Sequence, residues 1–250
     1  TDDFLLQNAT ARDLYHRVAA DLPIFDYHCH IPPRDIAENR QFANLFEIWL
    51  AGDHYKWRAM RANGVDERYC TGDATDHEKY LAWSGTVPHT LRNPLYHWSH
   101  LELKRYFGID SLIDEDSAAG IWETANDLLA TPELSVHGIL SKFRVAVICT
   151  TDDPTDNLEH HKAISESDLK TRVYPAFRPD NALRVDEPEA FNEWVDRLSE
   201  ACGCRCKSFD DFLENIKKRH DYFHDLGGRL SDHGMETCYA DFCEKSEAAS

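Results

Sequence analysis

Apolar positions follow three textures along the chain. Over residues 4–20, Leu5, Leu14, Val18 and Ala19 mark one face of a short amphipathic helix that leads to Pro23. The run Ile24-Phe25-Asp26-Tyr27-His28-Cys29-His30-Ile31 is rich in β-branched and aromatic residues and is stopped by Pro32-Pro33. That pattern predicts a buried strand over 24–30 opening into a loop. Between about 35 and 140 the texture changes: Trp49, Trp57, Trp83, Trp98 and Trp122 lie among helical periodicities such as Ala43-Asn44-Leu45-Phe46-Glu47-Ile48-Trp49-Leu50, with no convincing strand. From 144 onward alternation returns, predicting strands over 144–151, 173–177 and 229–231 and helices over 154–165, 188–202 and 209–226. Strands alternating with helices indicate a parallel sheet or barrel. The expected organisation is a partial (β/α) barrel of about four strands from residues 1–34 and 141–250, interrupted after its first strand by a helical insertion over 35–140. The segment 244–250 reads as the start of another helix.

Composition narrows the partners. The 250 residues are 42% hydrophobic, enough for a large globular core. Lys+Arg 27 against Asp+Glu 45 leaves a formal net charge of −18, which repels phosphodiester backbones and anionic headgroups, so nucleic acid and membrane surfaces are poor partners. No window approaches the ~18 apolar residues of a membrane span. The first residues, Thr1-Asp2-Asp3-Phe4-Leu5-Leu6, show neither the basic nor the apolar region of a secretory signal, so a cytoplasmic location is expected. Eight cysteines, at 29, 70, 149, 202, 204, 206, 238 and 243, are too sparse for a disulfide scaffold and are expected to be mostly free thiols.

His28 and His30 are the most specific candidate chemistry. Residues i and i+2 of a strand face the same way and can offer two imidazole nitrogens to one metal ion. An arbitrary pair of this kind is more often a core or capping feature, but the carboxyl end of a first parallel strand is where barrel active sites lie. Arg178 follows the strand over 173–177, where its guanidinium fork can hold a carboxylate; the alternative is a structural salt bridge, for instance to Asp180. Asp232 follows the short strand over 229–231 and can accept a hydroxyl hydrogen bond, sit near a metal, or cap the next helix. Asp152-Asp153-Pro154-Thr155 reads as an ordinary helix start. Cys202-Gly203-Cys204-Arg205-Cys206 would put three thiols on one strand face without zinc-site spacing. His97 with His100, His160 with His161, and His220 with His224 read as packing or surface residues.

Taken in order, Phe25-Asp26-Tyr27-His28-Cys29-His30, Asn93-Pro94-Leu95-Tyr96-His97-Trp98, Cys149-Thr150-Thr151-Asp152-Asp153-Pro154, Phe177-Arg178-Pro179-Asp180 and Ser231-Asp232-His233-Gly234 resemble the uronate isomerase family through nearly the whole chain. The resemblance implies an α/β fold, the (β/α)8 TIM-barrel type of the metal-dependent amidohydrolase superfamily. It implies an aldose–ketose isomerase that interconverts glucuronate with fructuronate, or galacturonate with tagaturonate. On that reading His28 and His30 hold a divalent metal ion, Zn²⁺ or Mn²⁺, and Arg178 grips the carboxylate of a small-molecule hexuronate. His54 and Tyr55, which composition alone would leave on a helix surface, become substrate-site residues with Tyr55 and Asp232 handling protons.

Family members are nearly twice as long, and their eighth strand carries a metal-binding Asp and a substrate-binding Arg. By this reading strands five to eight lie beyond Ser250, and the first half alone would leave open sheet edges, which the rest of the barrel or a homo-oligomer would cover. Two other readings remain open: a metal-dependent hydrolase of the same superfamily, and a non-catalytic module derived from the isomerase.

Overall fold

The computed structural model describes residues 2–235, 242–244 and 247. The chain separates into two compact units, Thr1–Glu38 with Phe143–Ser250, and Asn39–Lys142.

In chain order the first unit begins with helix α1 (Ala9–Leu14), which continues as a π-helical turn over Tyr15–Ala19. It starts later than the apolar pattern predicts because the Asn8 side chain accepts from the Ala11 amide at 2.9 Å and so fixes the N-terminus. Strand β1 (Ile24–Asp26) and helix α2 (Pro33–Ala37) follow. The second unit then supplies α3 (Leu45–Trp49), α4 (His54–Ala62), α5 (Asp76–Thr86), α6 (Pro94–Phe107), α7 (Ala118–Leu129) and α8 (Val136–Lys142). The first unit resumes with β2 (Val145–Asp152), α9 (Glu159–Ser165), β3 (Arg172–Phe177), α10 (Pro188–Cys202) and α11 (Phe209–Asp225).

The three strands form one parallel sheet in the order β1-β2-β3. Along β2 the buried residues are Ile148, Thr150 and Asp152, while Cys149 and Thr151 between them are only half-buried, the period of two that a strand imposes. The strand predicted over 229–231 is corrected to a single parallel bridge between Ser231 and Phe177. Residues 175 and 177 both turn their backbone groups toward that side. Pro175 has no N–H to donate, so pairing is confined to Phe177, whose amide donates to Leu230 at 3.0 Å and whose carbonyl accepts from Asp232 at 3.1 Å. Close approach here also requires Gly228, where a Cβ would stand 2.9 Å from the Pro175 carbonyl oxygen.

Two further expectations are corrected. The helix predicted from Pro154 begins only at Glu159, because the Asp153 carboxylate accepts from the Thr155 amide at 2.8 Å and hydroxyl at 2.7 Å and closes a turn instead. Cys202, Cys204 and Cys206 do not share a strand face: Cys202 ends α10 and Gly203, at φ 61°, turns the chain out of the helix. The seven cysteines among the described residues are free thiols, and Cys238 and most of 244–250 lie outside those residues.

The Asn39–Lys142 unit is helical throughout and is built around a buried cluster that includes Trp83, Tyr80, Leu103, Met60 and Leu129. The Tyr80 hydroxyl donates to the Ala118 carbonyl at 3.0 Å, so the buried ring carries no unsatisfied polar atom. Among the described residues no helix is long and apolar enough to cross a membrane.

Candidate active site

The segments after β1, after β3 and after the Ser231 bridge bring four of the sequence-predicted residues together. The strand predicted to run through residue 30 ends at Asp26, so His28 and His30 stand in the loop beyond it. Their convergence therefore comes from anchoring rather than from strand alternation. The Cys29 amide donates to the Cys149 carbonyl at 2.9 Å, and the Thr151 hydroxyl donates to the Cys29 carbonyl at 3.2 Å. With Cys29 pinned against β2, the flanking imidazoles face each other with Nε2 atoms 3.0 Å apart. Burial pushes the Cys29 thiol up to about 11. His30 is shifted down by its partial burial first and then by the charges of His28 and Arg178, which favours the neutral imidazole that ligates metals.

Asp232 arrives beside this pair because its amide is held by Phe177. Its Oδ2 lies 3.1 Å from His28 Nδ1 and 3.7 Å from Arg178 Nη1. That oxygen is buried and forms no hydrogen bond of good geometry to either neighbour. Arg178 leaves β3 with its own amide bound to the Asp152 carbonyl at 3.0 Å, which continues the β2–β3 ladder by one residue. The alternative reading of Arg178, a salt bridge to Asp180, is also present: Nε donates to Asp180 Oδ2 at 2.8 Å.

Sequence reasoning gave Asp180 no role beyond that salt bridge. Its Oδ2 also accepts from the Gly234 amide at 2.7 Å, and its Oδ1 lies 3.2 Å from His233 Nδ1. Burial alone would raise this carboxyl, but hydrogen bonds from Arg178, Gly234 and His233 outweigh it and hold the group below the usual carboxylate range. The two-residue spacing of Arg178 and Asp180 was visible in the sequence; the bond across 54 positions to Gly234 was not.

His54 and Tyr55 belong to the helical unit and open α4. Asp53 caps that helix, accepting from the amides of Tyr55 at 2.9 Å and Lys56 at 3.1 Å, and pairs with Lys56 Nζ at 2.8 Å. The His54 and Tyr55 rings lie 4.2 Å apart by centroid, and Tyr55 is 57% exposed, open to a ligand.

Two imidazole nitrogens bound to one zinc ion at about 2.0–2.1 Å stand roughly 3 Å apart, so the spacing of His28 and His30 fits a shared ion. The unsatisfied oxygen of Asp232 on the far side of His28 fits a carboxylate that orients a ligating imidazole. Among the described residues no group of three or more His, Cys, Asp or Glu side chains is placed to hold a metal.

Parallel strands joined through helices define an α/β protein, and polar side chains gather outside their carboxyl ends, the end at which such sheets bind ligands. The glucuronate isomerase family profile matches residues 1–250. The chain belongs to the glucuronate isomerase family. It is 63% identical over 248 residues to the uronate isomerase of Solibacter usitatus, covering 99% of this chain and 53% of that protein. To the uronate isomerase of Opitutus terrae it is 64% identical over 247 residues, covering 99% and 52%. The crystal structure of the Thermotoga maritima uronate isomerase superposes with a TM-score of 0.93 at 37% identity, over 100% of this chain and 54% of that one. The glucuronate isomerase of Caulobacter crescentus superposes with a TM-score of 0.88 at 26% identity, over 97% and 52%. The chain thus spans about half the length of the relatives it matches.

Proposed function

We propose that this protein is an aldose–ketose isomerase of hexuronates and that the chain supplies the first half of a (β/α)8 barrel, with the helical unit as an insertion after its first strand. The reading rests on the convergence of His28, His30, Arg178 and Asp232 at the strand ends, together with membership of the family. Interconverting glucuronate and fructuronate, or galacturonate and tagaturonate, moves the C2 proton to C1 and the proton of the C2 hydroxyl to the C1 oxygen. The reaction therefore needs a cation for the carboxylate, a group that carries protons, and an electrophile for the oxygens.

Arg178 is suited to the first task. Its Nε is committed to Asp180, and its two Nη atoms remain for a carboxylate, which a guanidinium can hold with two parallel hydrogen bonds. Asp232 presents a buried oxygen without a hydrogen bond a few ångströms from that guanidinium, an acceptor for a sugar hydroxyl or a proton in transit. His28 and His30 would hold a divalent ion, Zn²⁺ or Mn²⁺, which when bound polarises sugar oxygens as a Lewis acid. The substrate and proton roles of His54 and Tyr55 rest on the family resemblance alone.

The test joins the 250 residues to the remaining half of the Solibacter usitatus relative and supplies Zn²⁺ or Mn²⁺. Glucuronate, galacturonate, and a panel of amides and lactones are then assayed for ketose formation or hydrolysis. The expected result is ketose from at least one of the two uronates. Hydrolysis of amides or lactones with both uronates unchanged would overturn it.

A further inference from the structure

We infer that Asp180 is a positioning residue for substrate recognition: by binding the Nε edge of Arg178 and the Gly234 amide through one oxygen, it leaves only the Nη1–Nη2 edge of the guanidinium to meet a hexuronate carboxylate. The inference rests on the proposed role of Arg178 and adds to it the side from which the substrate is held.

A guanidinium can grip a carboxylate along either of two edges, through Nε with one Nη or through both Nη atoms. Asp180 Oδ2 stands 2.8 Å from Nε and occupies the first edge. Among the described residues neither Nη atom donates a hydrogen bond, and Asp232 Oδ2 is 3.7 Å from Nη1. The same Asp180 oxygen accepts from Gly234 at 2.7 Å, so one carboxylate ties the segment after β3 to the segment after the Ser231 bridge. Arg178 and Asp232 are thereby set in register with each other, because each lies two residues from one end of that tie. Behind it, Asn181 Nδ2 donates to Asp153 Oδ2 at 2.7 Å, and Trp194 Nε1 donates to Asp153 Oδ1 at 2.9 Å. The turn that carries Asp180 is therefore anchored to a side chain 1% exposed rather than left on a free loop.

Gly234 supplies an independent observation. A Cβ at this position would stand 1.9 Å from Arg178 Nη2 and 3.3 Å from Asp180 Oδ2. The guanidinium approaches the glycine with its Nη2 end, so any side chain there must push Nη2 aside.

The inference is tested in the joined protein described above by kcat and KM for glucuronate in Asp180→Ala, Asp180→Asn, Gly234→Ala and Arg178→Ala, with thermal melting as the folding control. Losing a charge-assisted hydrogen bond that orients the guanidinium should raise KM about tenfold in Asp180→Ala, and Gly234→Ala, whose Cβ displaces Nη2, should raise KM as well. Because the effect is on carboxylate binding, kcat should change by less than about twofold. In Asp180→Asn the amide oxygen still accepts both bonds, and the rise in KM should be smaller than in Asp180→Ala. A purely structural role would instead lower the melting temperature and the active fraction while leaving KM in place. If Asp180→Ala does not fold, Gly234→Ala and Asp180→Asn decide the question by the same split. An increase in KM for Arg178→Ala with none for Asp180 or Gly234 variants overturns this inference alone. An unchanged KM for Arg178→Ala overturns the carboxylate-gripping reading on which it rests, and absence of turnover in the unsubstituted joined protein overturns both.

Discussion

Asp152, Thr150 and His161 form a buried network on the helix-facing side of β2. Thr150 Oγ1 donates to Asp152 Oδ2 at 2.7 Å and lies 2.7 Å from His161 Nε2. Burial pushes Asp152 up to about 6 and pushes His161 down to about 4. The two shifts act oppositely on stability. The folded state holds the Asp152 proton more tightly than the unfolded chain, so that contribution falls as pH rises from the ordinary carboxylate range to about 6. The folded state rejects the His161 proton, so that contribution is lost as pH falls from 6.5 toward about 4. Over the shared window they offset each other. Asp152→Asn removes the first and leaves the second, so its melting temperature relative to the unsubstituted chain should climb between pH 4.5 and 6.5. Parallel curves over that window would contradict the network as described. At this scale the sequence was legible in placing His28, His30, Arg178 and Asp232 near one another, which the structure brings together. It was not legible where the partner is distant: nothing local tells that Thr150 bridges to His161, or that Asp180 reaches Gly234.

Helix and strand limits follow local signals wherever no tertiary contact competes. Pro188 at the start and Gly203 past the end bound α10 as the sequence predicts. Ahead of α9 the same proline signal misleads, because Asp153 is already bound by Thr155 and by Trp194 Nε1 and closes a turn at Pro154. The fourth strand fails for a covalent reason, the missing N–H of Pro175, which the sequence contains but which matters only once the pairing side is known. In the helical unit, α5 is fixed by a capping box in which the Thr75 side chain accepts from the Glu78 amide at 3.3 Å and Glu78 Oε2 accepts from the Thr75 amide at 2.9 Å. Thr75→Ala removes one half of that exchange and should cost about 1 kcal/mol in urea unfolding of the chain. A loss indistinguishable from zero would mean that packing of Tyr80 and Trp83 alone sets the start of α5.

For the whole molecule, a formal net charge of −18 sits beside a site proposed to take an anionic sugar acid, so its affinity must come from local cations. Arg178 is one, and its charge is shared with Asp180 and Asp232. A divalent ion on His28 and His30 would be the other, so turnover should depend on metal. The most direct measurement is conversion of glucuronate to a ketose by the joined protein and by its His28→Ala variant, each stripped of metal and then resupplied with Zn²⁺ or Mn²⁺. Metal should restore turnover to the unsubstituted protein and leave His28→Ala on the order of a hundredfold slower, the upper end of the loss when the support of a metal ligand is removed. Equal turnover in the two proteins, with or without metal, would contradict it.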